Sequence, residues 1–100
     1  MNKKVNWGII GLGKIAHNFA SDLQRSETSQ LYAVASRDLN KAKEFGKKYK
    51  AKKHFGSYET LAEDPEIDII YVATPHVFHF ENTIMCLKKS KAVLCEKPMG

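Results

Sequence analysis

Val5-Asn6-Trp7-Gly8-Ile9-Ile10-Gly11-Leu12-Gly13-Lys14-Ile15-Ala16 is the stretch from which the rest of the 100-residue chain is read. A short apolar run gives way to closely spaced glycines and then to a helical pattern, which predicts a strand, a tight turn and a helix N-terminus. Gly11-x-Gly13-x-x-Ala16 fits the G-x-G-x-x-G/A spacing of dinucleotide-binding folds, and each small residue has a mechanical reason to be there. Gly11 allows the sharp turn out of the strand. Gly13 has no Cβ, so the backbone from Gly11 through Leu12, Gly13, Lys14 and Ile15 can approach a pyrophosphate. Unpaired N–H groups and the positive end of the helix dipole would meet its charge. Ala16 lets helix and strand pack closely. Such a pattern alone also fits a purely structural turn; the strand before it and the helix after it favour the nucleotide.

One hundred residues make about one domain, here residues 1–100, with 43% hydrophobic and 27% charged residues as in ordinary soluble chains. No apolar run of about 18 residues offers a membrane span, and no signal-like segment opens the sequence, so the expected location is the cytoplasm. Cys86 and Cys95 lack metal-type spacing and are expected to be buried thiols. The net charge of +5 comes largely from Lys41, Lys43, Lys47, Lys48, Lys50, Lys52 and Lys53. Around apolar Ala42, Phe45 and Tyr49 these lysines fall mostly on the solvated face of one helix. No helix-turn-helix, zinc or RNA-binding signature accompanies them, so no nucleic-acid partner is expected.

Along the chain, Lys4 to Ile10 reads as a first strand with the near-continuous apolar character of one covered on both faces. Lys14 to about Arg25 follows as a helix whose inward stripe is Ile15, Phe19 and Leu23 with Ala16 and Ala20. After the polar loop Ser26 to Ser29, Leu31 to Ala35 is a second strand, and a lysine-rich helix capped by Asp38 runs to about Lys50. Lys53 to Phe55 is a short third strand, Ser57 caps a brief helix through Ala62, and Asp64-Pro65-Glu66 is a turn. Ile67 to Ala73 is the fourth strand, Phe80 to Lys89 a helix with Phe80, Ile84 and Leu87 inward, and Ala92 to Cys95 the fifth strand. Strands alternating with helices predict an α/β, Rossmann-like, doubly wound parallel sheet in the order 3-2-1-4-5.

The end of the second strand, where an adenosine ribose would lie, carries Ser36 and Arg37. A hydroxyl followed by a planar cation suits the 2′-phosphate of NADP, whereas an acidic reader, here Asp38, would suit the ribose of NAD. NADP is the expected cofactor and NAD the alternative. In such a sheet ligands bind beyond the carboxyl ends of the strands, where the strand order reverses. Gly11 to Ile15, Thr74-Pro75-His76 and Glu96-Lys97-Pro98 converge there. His76 and His79 have a three-residue spacing, but no carboxylate or cysteine completes a metal-ligand set with them. His17 and His54 read as surface residues.

With the Ser36-Arg37 corner, these segments resemble the Gfo/Idh/MocA oxidoreductases, nicotinamide-dependent enzymes acting mostly on sugars, inositols and related polyols. The matching marks are G-x-G-x-x-A, Ala73-Thr74-Pro75 with His79 downstream, and Glu96-Lys97-Pro98. Ala35-Ser36-Arg37-Asp38 and Val93-Leu94-Cys95-Glu96-Lys97-Pro98 look most like the branch containing dihydrodiol and D-xylose dehydrogenases, which use NADP. The resemblance implies that Lys97 is catalytic, its ammonium polarising the reacting carbonyl or hydroxyl and aiding proton transfer. A lysine in a partly desolvated pocket has its pKa lowered toward working pH, which suits it to that task. It implies also that Thr74 and Pro75 pass along the nicotinamide ribose, that His79 bonds to the cofactor-side loops, and that a cis bond precedes Pro98. His76 stands where the family commonly has Asn.

The lysine motif lies within the last five residues given, Glu96 to Gly100, so the family's second domain, with most of the substrate pocket, is not expected in this stretch. The expectation is a cofactor domain that binds nucleotide without turning over by itself. Its fifth strand would then be an unprotected edge, favouring a homo-oligomer. A nucleotide-sensing regulator on the same fold would need the glycines but not Lys97.

Overall fold

Strands and helices alternate as read: β1 (Val5–Ile10), α1 (Lys14–Gln24), β2 (Ser29–Ala35), α2 (Leu39–Tyr49), β3 (Lys53–Phe55), α3 (Tyr58–Ala62), β4 (Ile69–Val72), α4 (His76–Lys88) and β5 (Ala92–Cys95). The computed structural model describes residues 4–74 and 76–95, and of residues 76, 77, 79 and 95 only the backbone. All strand pairs are parallel, and the five strands lie in the order β3-β2-β1-β4-β5. β1 is the centre, with β2 on one side and β4 on the other, so the strand order reverses at its carboxyl end.

Side chains alternate across this sheet into two cores. Ile9 and Tyr71 pack with Ala16, Ala20 and Leu23 of α1 and with Ala42 and Phe45 of α2. Ile10, Ile70 and Val72 pack on the opposite face with Leu61, Ala62 and Cys86. Each such aliphatic side chain, withdrawn from water, contributes about 1.5–3 kcal/mol before entropy is set against it. The first core is aromatic as well as aliphatic: Phe19 stacks on Tyr71 at 4.0 Å and meets Trp7 edge-on at 4.8 Å. Between Trp7 and Gly8 the pairing of β1 with β2 shifts by one residue. The extra residue is Tyr32, so Tyr32 and its neighbour Ala33 both serve the second core.

Polar residues tie the elements together at the amino ends of the strands. Asn6 is buried, donates from Nδ2 to the Glu66 carbonyl at 2.8 Å and accepts from Gln30 Nε2 at 2.6 Å. Asp64 organises the turn before β4: its Oδ1 accepts the Glu66 N–H and its Oδ2 the Lys53 ammonium, both at 2.9 Å. Burial raises the Asp64 pKa, but the Glu66 N–H and Lys53 outweigh it and leave the carboxyl below its ordinary value. Lys91 adds its ammonium to the carbonyls of Asp64 and Ile67 at 2.7 and 3.0 Å.

Four expectations are corrected. β4 is shorter than Ile67 to Ala73, because the Asp68 carboxylate accepts the Asn6 N–H at 2.8 Å and Ile67 closes the preceding turn on the Asp64 carbonyl. α4 starts at His76, ahead of Phe80, and its buried residue is Cys86; Phe80 is 76% and Leu87 53% exposed. Ile15 does not join the α1 stripe but stands 52% exposed in the first turn. His17 is half-buried rather than free on the surface: its ring packs on Phe45 with centroids 4.6 Å apart, and Nδ1 shares a 2.8 Å hydrogen bond with the Tyr49 hydroxyl.

Candidate functional site

The carboxyl ends of the three central strands are drawn together by backbone hydrogen bonds. Gly11 N–H donates to the Ala35 carbonyl at 3.2 Å, and Ala73 N–H to the Ile10 carbonyl at 2.9 Å. Gly11 has φ +85°, in the left-handed region, and a Cβ there would lie 2.8 Å from both N and Cγ2 of Thr74. Only glycine lets the chain turn out of β1 this close to the end of β4.

Gly13 is different. Its backbone is extended, with φ −88° and ψ −163°, and a Cβ built on it meets nothing within 4 Å. It is the N-cap of α1, yet no side chain caps the helix and no acidic residue occupies the first turn. The first helical bond runs from His17 N–H to the Gly13 carbonyl at 3.2 Å, so the amides ahead of His17 lack an i−4 acceptor. Gly13, Lys14 and Ile15 are exposed, Leu12 half-buried. An uncapped helix start with open space over a glycine, a lysine beside it and no carboxylate fits a diphosphate. Gly11 to Ile15, the stretch expected to meet a pyrophosphate, thus forms the turn out of β1 and the open first turn of α1.

Thr74 is buried beside it, and its Oγ1 accepts Asn82 Nδ2 at 2.7 Å, which fixes α4 to the end of β4. On the other flank, Ser36 N–H donates to the Phe55 carbonyl at 3.1 Å and Ser36 Oγ accepts the Asp38 N–H at 3.1 Å. Asp38 Oδ1 accepts the Asn40 N–H at 2.9 Å, so this carboxylate caps α2 as the sequence predicts. Arg37 is exposed, with its guanidinium carbon 5.2 Å from the Phe78 ring centroid and 5.9 Å from that of Tyr58. Pro75, Glu96, Lys97 and Pro98 lie outside the described residues, as do the side chains of His76 and His79.

Sequence reasoning missed Asn82, Tyr58 and Phe78 at this end of the sheet. An aromatic one helical turn from another apolar residue reads as core, and nothing in the spacing shows that the loop bearing Arg37 passes over it. It also missed a groove of about 400 Å³ beside the glycine turn, lined by Leu12, His17, Lys41, Glu44, Phe45 and Lys48. Desolvation, with Lys48 adding to it, lowers the His17 pKa below its ordinary value. The described residues contain no group of three metal-ligating side chains and no helix long and apolar enough to cross a membrane.

Comparison with known proteins agrees with this geometry. The model of the oxidoreductase family with an NAD-binding Rossmann fold matches residues 5–100. Trans-1,2-dihydrobenzene-1,2-diol dehydrogenase of Mus musculus is 48% identical over 98 residues, which are 96% of this chain and 29% of that protein. The Homo sapiens enzyme of the same name is 48% identical over 99 residues, again 96% of this chain and 29% of its own length. Among solved structures, the 3-ketoreductase KijD10 from Actinomadura kijaniata, in complex with NADP and TDP-benzene, superposes with a TM-score of 0.91 at 31% identity. It covers 96% of this chain and 30% of its own. A probable dehydrogenase from Thermotoga maritima superposes at 0.88 with 33% identity, over 94% of this chain and 28% of that one. The chain thus spans under a third of the length of these relatives. With its parallel sheet, its glycine turn at the strand-order reversal and a family match over nearly its whole length, the chain belongs to the Gfo/Idh/MocA oxidoreductase family and carries that family's NAD-binding Rossmann fold.

Proposed function

We propose that this chain is the cofactor-binding part of an NADP(H)-dependent oxidoreductase, one that moves hydride to or from a hydroxyl or carbonyl of a sugar, polyol or dihydrodiol. The observation that carries it is the uncapped start of α1, where open space stands over Gly13 and no acidic residue competes for the exposed amides. The amides of Leu12, Gly13, Lys14 and Ile15 hold the pyrophosphate, and Gly11 sets the turn that presents them.

Two further observations support the cofactor preference. Asp38 is committed to capping α2, which leaves Ser36 and Arg37 as the polar groups at the ribose corner. The guanidinium supplies a planar set of donors matched to a 2′-phosphate. A 3-ketoreductase of the same fold holds NADP, and relatives named as dihydrodiol dehydrogenases share about half of this sequence.

The bound nicotinamide supplies hydride chemistry. Around it, Thr74 and Pro75 would pass along the nicotinamide ribose, and His76 and His79, at the start of α4, and Glu96 would belong to the same cofactor site. Lys97 holds the proton that the substrate oxygen gains or gives up, and its ammonium stabilises charge building on that oxygen. Fluorescence titration with NADPH and with NADH tests the reading: NADPH should bind at least about tenfold tighter, a charge-assisted contact being at stake. Arg37→Gln should remove the difference. Equal binding of both cofactors by the unaltered protein would overturn the NADP assignment.

A further inference from the structure

We infer that Phe78 and Tyr58 are positioning residues for cofactor choice, acting through Arg37. The inference rests on the NADP reading above and adds how the reader of the 2′-phosphate is held. The guanidinium lies over two aromatic rings from different elements, Tyr58 at the start of α3 and Phe78 in the first turn of α4. Both distances are within the roughly 6 Å at which a ring's negative face attracts a cation.

Arg37 also forms no salt bridge among the described residues, where the ion pairs are Lys53 with Asp64 and Lys89 with Glu63. A carboxylate partner would have occupied the N–H donors and offset the charge. A ring face does neither. A ring offers no acceptor for the N–H fork, so the donors stay available to an anion. An exposed arginine otherwise samples many rotamers, and ordering it on binding weakens the contact. Two rings narrow that range before the cofactor arrives. Tyr58 packs against the second core, and Phe78 is half-buried in the first turn of α4.

The arrangement also links two flanks of the site. α4 is fastened to the end of β4 through Asn82 and Thr74, while Arg37 stands at the end of β2. Phe78 therefore ties the ribose corner to the helix that follows the strand-order reversal.

The experiment compares the dissociation constants of NADPH and NADH for Phe78→Leu, Phe78→Trp, Tyr58→Leu and Arg37→Gln by fluorescence titration. Phe78→Leu keeps an apolar side chain but removes the π face. It should weaken NADPH by about three- to tenfold and leave NADH unchanged. Phe78→Trp should retain the preference, a rescue that bulk alone would not give. If Phe78→Leu fails to fold, Tyr58→Leu carries the same expectation. A Phe78→Leu variant that weakens both cofactors alike would overturn the inference, since the ring would then act on the shared adenosine half. So would one that changes neither cofactor while Arg37→Gln removes the preference, and in that case the NADP reading survives. An Arg37→Gln variant with an unaltered preference overturns both.

Discussion

Gly11 and Thr74 pack so closely that a Cβ on the glycine would sit 2.8 Å from the threonine's backbone nitrogen. Backbone cannot swing aside as the end of a side chain can, and the φ of +85° is one that L side chains rarely adopt. Gly11→Ala is therefore expected to cost about 2–4 kcal/mol, combining strain and overpacking. Urea unfolding beside the unaltered protein measures it. A loss near zero would mean that β1 and β4 do not meet as described.

Asp64 gives the stability a dependence on acid. Its carboxyl titrates below the ordinary value in the fold because the Glu66 N–H and Lys53 outweigh desolvation. The stabilisation is therefore fully present above the unfolded pKa, about pH 4, and is lost as pH falls through the lower folded value. Asp64→Ala should remove that part of the acid dependence and cost about 1–3 kcal/mol at neutral pH, since the Glu66 N–H loses its acceptor. Chemical denaturation between about pH 2 and 7 shows it. A variant with the parent's slope would exclude the turn as its source.

His17 acts in a higher window. Desolvation, then Lys48, depresses its pKa in the fold. The neutral ring is the folded form, so its contribution is complete above the unfolded pKa of about 6.5 and declines as pH falls toward the lower folded value. The imidazole resonances should titrate below that of a model histidine in NMR, and His17→Gln should flatten stability across this window. A midpoint above 6.5 would contradict the half-buried packing of the ring on Phe45 and Tyr49.

Much of this fold is legible in the sequence because β1, β2 and β4 are apolar on both faces and the glycine turn fixes where the first helix starts. The strand order follows from that alternation. What was not legible has local causes. α4 carries Phe78, Phe80, Ile84, Met85, Cys86 and Leu87 around its whole circumference, so no stripe marks its inward side. Packing against the sheet chose Cys86 and Met85. The shifted register at Trp7 and Gly8 leaves no mark in a two-residue period. At this end of the sheet, the glycine turn and the Asp38 cap were readable because both rest on local backbone needs. The rings beneath Arg37 were not, because they arrive from α3 and α4, far along the chain.

The α4 face supplies its own check. Phe80 is 76% exposed, so Phe80→Ser should change stability by no more than about 0.5 kcal/mol. Ile70 is fully buried, and Ile70→Ala should cost about 2–5 kcal/mol. Thermal unfolding of the two variants compares them directly. Equal losses would place Phe80 in a core.

The central claim is that the backbone at the start of α1 receives the pyrophosphate, and Gly13→Asp puts it to the question most directly. Aspartate is a favoured N-cap, and its Cβ would enter open space, so the melting temperature should hold or rise. Its carboxylate would occupy the place of the anion and repel it. Titration with NADPH should then show affinity reduced by about a hundredfold or more. A Gly13→Asp protein that folds and binds NADPH as tightly as its parent would contradict the account.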